Sequence, residues 1–335
     1  MFGNTTGWII SAVVGLLMTI LLSMVVLPPT PTPPTYAAVF NVVQKPLAIP
    51  IDPSTVVPRG TEEGNAGALY RKAIADYELN PTPYDTFQEH IMKIDVKSLT
   101  AINYVLKARD CKTGSLFVAK PSDLINYDNA EPGLDAIDTV GKLCCTVGKL
   151  YINEKYNPKT RPQEALKLWE AAFVLGQHLY EERLTWDELG RGLGLMQTAA
   201  IDLQLYYTDI AKDPSKADGI QSFMNAEADY QGKLIAAVQL IEGVEESKVG
   251  QYAGDIFAIA AAKPGAAYGS ADPMWRVEAI KHVGKYRFNA QTNGDQLAAR
   301  KVLSKMVEDP TLSPPVKAAA TAAHDLTIEK YHAFG

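Results

Sequence analysis

The segment Trp8–Leu27, WIISAVVGLLMTILLSMVVL, is twenty residues without a charge, and Ser and Thr are its only polar members. At about 1.5 Å of rise per residue, a helix of this length covers the roughly 30 Å hydrocarbon core of a bilayer. The run is apolar on every face, and the chain holds no second such segment to pack against it, so it predicts a transmembrane helix rather than a core helix. A cleaved export signal is the competing reading. Against it stand an apolar run longer than the about 7–15 residues of an export signal, a leading MFGNTTG without Lys or Arg, and prolines at Pro28 and Pro29. The first cysteine is Cys111, which excludes lipoprotein processing. Residues 1–27 are therefore read as a short tail and an uncleaved anchor.

Orientation must be read from very little charge, because the first charged side chain is Lys45. No Lys or Arg cluster follows the apolar run to hold that flank in the cytoplasm, so the C-terminal body is expected outside it, in the periplasm if the source is bacterial. Residues 28–64 read as a proline-rich linker. Pro28–Pro58 carries nine of the 21 prolines and opens PPTPTPPT, which neither a continued helix nor a central strand tolerates. Its polyproline II character suits a spacer, while the second half, VFNVVQKPLAIPID, is apolar enough to pack on a partner or on the body itself.

From Asn65 onward apolar residues recur at intervals of three and four, the helical period. Ala165, Trp169, Ala172, Gly176 and Leu179 form one such stripe, opened by Arg161-Pro162. The pattern predicts helices near 65–79, 84–93, 96–109, 133–153, 162–182, 186–211, 215–243, 249–262, 273–287, 294–308 and 313–330. Alternation of strand type is confined to Ser115–Ala119. The fold class expected is all-α, with a body at 65–262 and a C-terminal set of helices at 263–335. A chain this long exceeds what one compact core holds, so a solenoid-like stack of helix pairs is expected.

Two pieces carry a family resemblance. In EALKLWEAAF, Ala165, Trp169 and Ala172 have the small-aromatic-small spacing of a tetratricopeptide repeat, and Ala66, Tyr70 and Ala73 repeat it in AGALYRKAIADYELNP. DPMWRVEAIKHVG, GDQLAARKVLSKMVEDP and PPVKAAATAAHDL resemble the helix order of a HEAT repeat, with Asp309-Pro310 at the turn. No 34-residue period runs along the chain. The resemblance implies an α-solenoid that binds proteins, and it implies no chemistry.

A net charge of -6 and a pI near 5.5 offer no basic surplus for phosphates, which argues against a nucleic-acid partner. The five histidines are scattered, and only Glu329-Lys-Tyr-His332 has the spacing of a bundle metal site, so no metal or cofactor is expected. His178 with Glu181 and Glu182 reads as a solvated helix face. Gly190–Gly194, GRGLG, lacks a preceding strand and a third glycine at dinucleotide spacing, and reads as a place of close helix approach. With no nucleophile elbow or P-loop, catalysis is unsupported. The irregular stretch Asp110–Gly133 stands out as a long loop. Cys111 in that loop bridged to Cys144 or Cys145 would staple it to the next helix, and three buried thiols are the equal alternative.

The sequence thus supports a single-pass, membrane-anchored helical scaffold that binds protein partners, and an accessory subunit of a membrane complex is a role that fits it. Trp275, Arg276, Tyr286, Arg287 and Phe288 are its candidate binding patch. The alternative is an extracytoplasmic enzyme or ligand-binding protein whose site lies between helices. A cleft gathering titratable groups favours the second, and a shallow face of exposed aromatics the first. The full-length chain is expected to stay in the membrane pellet after alkaline carbonate washing. Release of the intact chain into the supernatant, or a mature N-terminus near Ala37, would show that Trp8–Leu27 is no anchor.

Overall fold

A computed structural model describes residues 48–79, 99–116, 133–154, 159–242, 254, 256–262, 272–289 and 293–327. The expected anchor, the linker up to residue 47 and the predicted helix at 84–93 lie outside them, and among the described residues no helix is long and apolar enough to cross a membrane. The described chain is predominantly helical. Its helices are α1 (Gly67–Leu79), α2 (Thr100–Ala108), α3 (Leu134–Ile152), α4 (Pro162–Glu182), α5 (Trp186–Leu205), α6 (Pro214–Glu242), α7 (Pro273–Asn289), α8 (Asn293–Glu308) and α9 (Pro314–Asp325).

Local chemistry sets several boundaries. Pro162, Pro214, Pro273 and Pro314 each open a helix, where a missing N–H costs no intrahelical bond. Thr185 caps α5, its hydroxyl accepting the Glu188 N–H at 3.1 Å, while the buried Glu188 carboxylate accepts the Leu184 N–H at 2.7 Å. The predicted helices at 133–153, 162–182 and 294–308 match α3, α4 and α8 to within one residue. The predicted helix at 186–211 divides instead. α5 ends at Leu205 and passes into a π turn at Tyr206–Ile210, closed by the Ala211 N–H on the Tyr206 carbonyl at 2.9 Å.

Two short strands, β1 (Glu62–Asn65) and β2 (Cys111–Thr113), pair in parallel with Glu62 opposite Cys111 and Asn65 opposite Thr113. The strand expected at Ser115–Ala119 is not there in its described part, since Ser115 and Leu116 follow β2 as irregular chain.

α4 is the spine of the fold. Every residue from Ala171 to Tyr180 is buried, as befits a helix apolar on all sides, and α4 packs against α2, α3 and, most extensively, α5. Gly176 and Gly192 let α4 and α5 meet backbone to backbone, for a Cβ on Gly176 would stand 2.6 Å from the Gly192 carbonyl oxygen. The residues behind the tetratricopeptide likeness, Tyr70 and Trp169 with their flanking alanines, all point into the core.

α7, α8 and α9 pack on one another. Trp275 at the start of α7 meets Trp186 edge-on with ring centres 4.8 Å apart, and Asp272 pairs with Arg183 at 3.0 Å. The candidate binding patch is therefore corrected. Trp275, Tyr286 and Arg287 are buried, Arg276 and Phe288 half-buried. Arg276 donates to the Ala260 carbonyl at 3.3 Å, and Tyr286 packs on Phe257. The Arg287 guanidinium donates to the carbonyls of His324, at 2.6 Å, and of Leu326. These carbonyls close the end of α9, where a cation opposes the helix dipole. Helix packing claims these side chains before any partner could. Arg287→Ala should accordingly cost about 2 kcal/mol, the scale of hydrogen bonds to a charged donor, and lower the melting temperature seen by circular dichroism by several degrees. An unchanged melting temperature would return Arg287 to the surface.

Candidate functional site

The end of the predicted linker is not a free spacer. Residues 48–61 form a strap laid on the body, with Ile49, Pro53 and Val57 buried. The Ile49 N–H donates to the Tyr180 hydroxyl of α4 at 3.0 Å, and Arg59 pairs with Glu181 at 2.8 Å. Asp52 accepts the Ser54 N–H at 2.9 Å, which caps the turn Pro53–Thr55 and holds its carboxyl below the usual range. At Gly60 the strap comes so near the Asp110 carbonyl that a Cβ would stand 2.3 Å from it, and the next step places the Glu62 N–H on that same oxygen at 2.9 Å.

Between the strap, the end of α2, the middle of α4, the π turn and the first turns of α6 lies a cleft of about 610 Å³. That volume falls in the range of small-molecule sites. Three cations, Arg59, Arg109 and Lys216, and three acids, Glu62, Asp110 and Glu170, line it. Arg109 pairs with Glu170 at 2.5 Å and approaches Asp110 at 3.8 Å. Burial pushes the Glu170 carboxyl above its usual range, and the nearby Arg109, Lys216 and Lys167 oppose that shift without cancelling it. The Lys216 ammonium lies 4.8 Å from the centre of the Tyr207 ring.

The π turn accounts for Tyr207. A π turn is wider than an α turn and brings successive side chains closer in direction. Tyr206 points inward, against Trp169 and within 3.1 Å of the Gln163 amide that donates to it, and Tyr207 beside it faces the cleft.

Behind Arg59 sits a buried pair from α1 and α4. The Tyr70 hydroxyl and His178 Nδ1 are 2.7 Å apart. Burial pushes the Tyr70 phenol up and holds His178 down at about 4, so the hydrogen bond joins an un-ionised phenol to a neutral imidazole. Gly114 leaves room for that ring, since a Cβ there would be 2.3 Å from the imidazole. The solvated face expected for His178, Glu181 and Glu182 is corrected at His178, which is interior. Glu181 is exposed and holds the strap, and the half-buried Glu182 accepts the Leu116 N–H at 2.5 Å.

The cysteines are placed inside as well. Cys111, Cys144 and Cys145 are free and buried, and burial raises all three thiols, Cys144 to about 12. They are packing groups held far from the thiolate state that reactivity needs. Of the two alternatives open from the sequence, a Cys111 bridge and three buried thiols, the structure holds the thiols. Among the described residues no group of His, Cys, Asp and Glu is arranged to hold a metal ion.

Sequence reasoning did not anticipate Arg59, Arg109, Glu170, Tyr207 or Lys216. They come from five separate stretches, and only the Asp213-Pro214 break after Tyr206-Tyr207 hinted that the chain turns there. No family model, curated protein or solved structure matches the chain.

The His178 pair gives a pH dependence of known sign. An unfolded histidine takes its proton near 6.5, the folded one only near 4. Between those values the unfolded chain binds the extra proton, so stability present above pH 6.5 is lost as the pH falls toward 4, by about 1.4 kcal/mol per unit at most. Glu227, whose carboxyl burial raises to about 7, shifts stability the opposite way over much of the same window, so the His178 share is read as a difference between the two proteins. His178→Gln should be less stable than the wild type at neutral pH, its deficit in denaturant midpoint shrinking as the pH falls toward 4, and a deficit that stays constant would assign the effect elsewhere.

Proposed function

We propose that this chain is a single-pass, membrane-anchored protein whose helical body, held outside the cytoplasm, binds a small polar ligand in the cleft between the strap, α4 and α6. The observation that carries this reading is the gathering of six charged side chains and Tyr207 around one cavity of ligand size. Of the surface patch preferred for the scaffold reading, Trp275, Tyr286 and Arg287 are buried and Arg276 and Phe288 half-buried in helix packing. The large apolar side chains most exposed to solvent among the described residues, such as Ile201, Leu205 and Leu297, are aliphatic, and the aromatic side chains that dominate protein interfaces are at least half-buried.

Gly219 gives the test. It lines the cleft from α6, and a Cβ there meets nothing within 4 Å. Gly219→Trp therefore adds bulk to the cleft lining with no clash at its Cβ, and Gly219→Ala leaves the cleft open while favouring the helix by up to about 1 kcal/mol. Purified full-length chain in detergent, equilibrated with a small-molecule cell extract and washed, should retain compounds that mass spectrometry detects in the wild type and Gly219→Ala but not in Gly219→Trp. Identical retention by all three would overturn the cleft as the binding site.

A further inference from the structure

The cleft's charges are paired in a way that specifies a ligand class beyond "small and polar". Its three cations and three acids cancel, so a ligand of high net charge of either sign would leave part of the lining uncompensated. The central group is a tight triad in which Arg109 bridges Glu170 and Asp110. Positive and negative partners there lie within one ion-pair distance of each other. A ligand that uses both must carry its own two charges equally close together.

We propose, resting on the reading of the cleft as a binding site, that the ligand is a free α-amino acid, its carboxylate taken by Arg109 and Lys216 and its ammonium by Glu170 and Asp110. Binding would open the Arg109–Glu170 pair and replace one ion pair by an alternating set of four charges, each with an opposite neighbour. Two observations support the exchange. Glu170 is largely withdrawn from solvent, with its side chain 14% exposed, and its carboxyl stays raised even with Arg109 at 2.5 Å. One guanidinium in contact, with Lys216 and Lys167 acting from nearby, therefore leaves it undercompensated, and a ligand ammonium would supply a second cation in contact. Lys216 is held over the Tyr207 ring rather than on a carboxylate, which leaves its ammonium available to an incoming anion. Val56, Tyr207 and Ile220 make part of the remaining wall apolar, beside Thr55, Thr61 and Ser215, and an apolar ligand side chain would rest on that part. A peptide separates its terminal charges by more than one residue length and does not match the triad.

Leucine and its monofunctional analogues separate the possibilities. Titrated into the full-length chain in detergent and followed by calorimetry, L-leucine should bind. 4-Methylpentanoate, which lacks the ammonium, 3-methylbutylamine, which lacks the carboxylate, and the dipeptide leucyl-leucine should each bind at least tenfold more weakly. Glu170→Gln should weaken leucine at least tenfold while binding 4-methylpentanoate no worse than the wild type does, a combination that a misfolded variant cannot give. Gly219→Trp should abolish binding without touching the charges. Analogues that bind as well as leucine, an unaffected Glu170→Gln, or no binding of any of the twenty amino acids would each overturn the assignment. If a different compound is then retained by the wild type and lost in Gly219→Trp, the cleft remains the site and the zwitterion alone fails.

Discussion

α4 and α5 cross with their backbones in contact at Gly176 and Gly192, and the distances there leave no room for even one methyl group on either side. That contact fixes the separation and rotation of the two longest-packed helices, so it fixes the direction of every other side chain on α4. Glu170 near the middle of the helix then faces the cleft, His178 the α1 side, and Tyr180 and Glu181 the strap. A helix buried on all sides has few places where polar groups can leave it. Here Glu170, His178, Tyr180 and Glu181 each meet a partner from a segment distant in the chain, namely Arg109, Tyr70, the Ile49 N–H and Arg59.

The helices were legible because burial repeats with the helical period, and the stripe from Ala165 to Leu179 announces α4 almost to the residue. What the period cannot announce is a polar side chain on the buried face. Glu227 sits on the core side of α6 between Phe223 and Tyr230, fully buried, with its carboxyl pushed up to about 7 by that burial and held by the Gln231 amide. A reader of the sequence assigns it to solvent, as happened with His178. Charge type predicts exposure only on average, and the exceptions are set by packing that a linear pattern does not contain.

The candidate site was hidden for a related reason. Arg109 and Glu170 are 61 positions apart, and nothing in either neighbourhood has a motif's spacing. β1 and β2 escaped as well. Glu62–Asn65 is polar throughout and wholly exposed, so it carries none of the alternation that marks a half-buried strand. It is extended because the strap before it is pinned on α4 and the Glu62 N–H finds the Asp110 carbonyl. Composition told more about what the patch at Trp275 might do than about where it lies, and the large aromatic and guanidinium groups that favour interfaces favour helix grooves for the same reasons of area and hydrogen-bonding reach.

The strap constrains its own length. From Ile49 to Glu62 the count is fixed at both ends, by the Tyr180 hydroxyl and by the Asp110 carbonyl. A single deletion in that interval would pull Arg59 off Glu181 or shift β1 against β2, and in either case reshape the cleft rim. An interval whose composition reads as a tolerant spacer is therefore a stretch of set length.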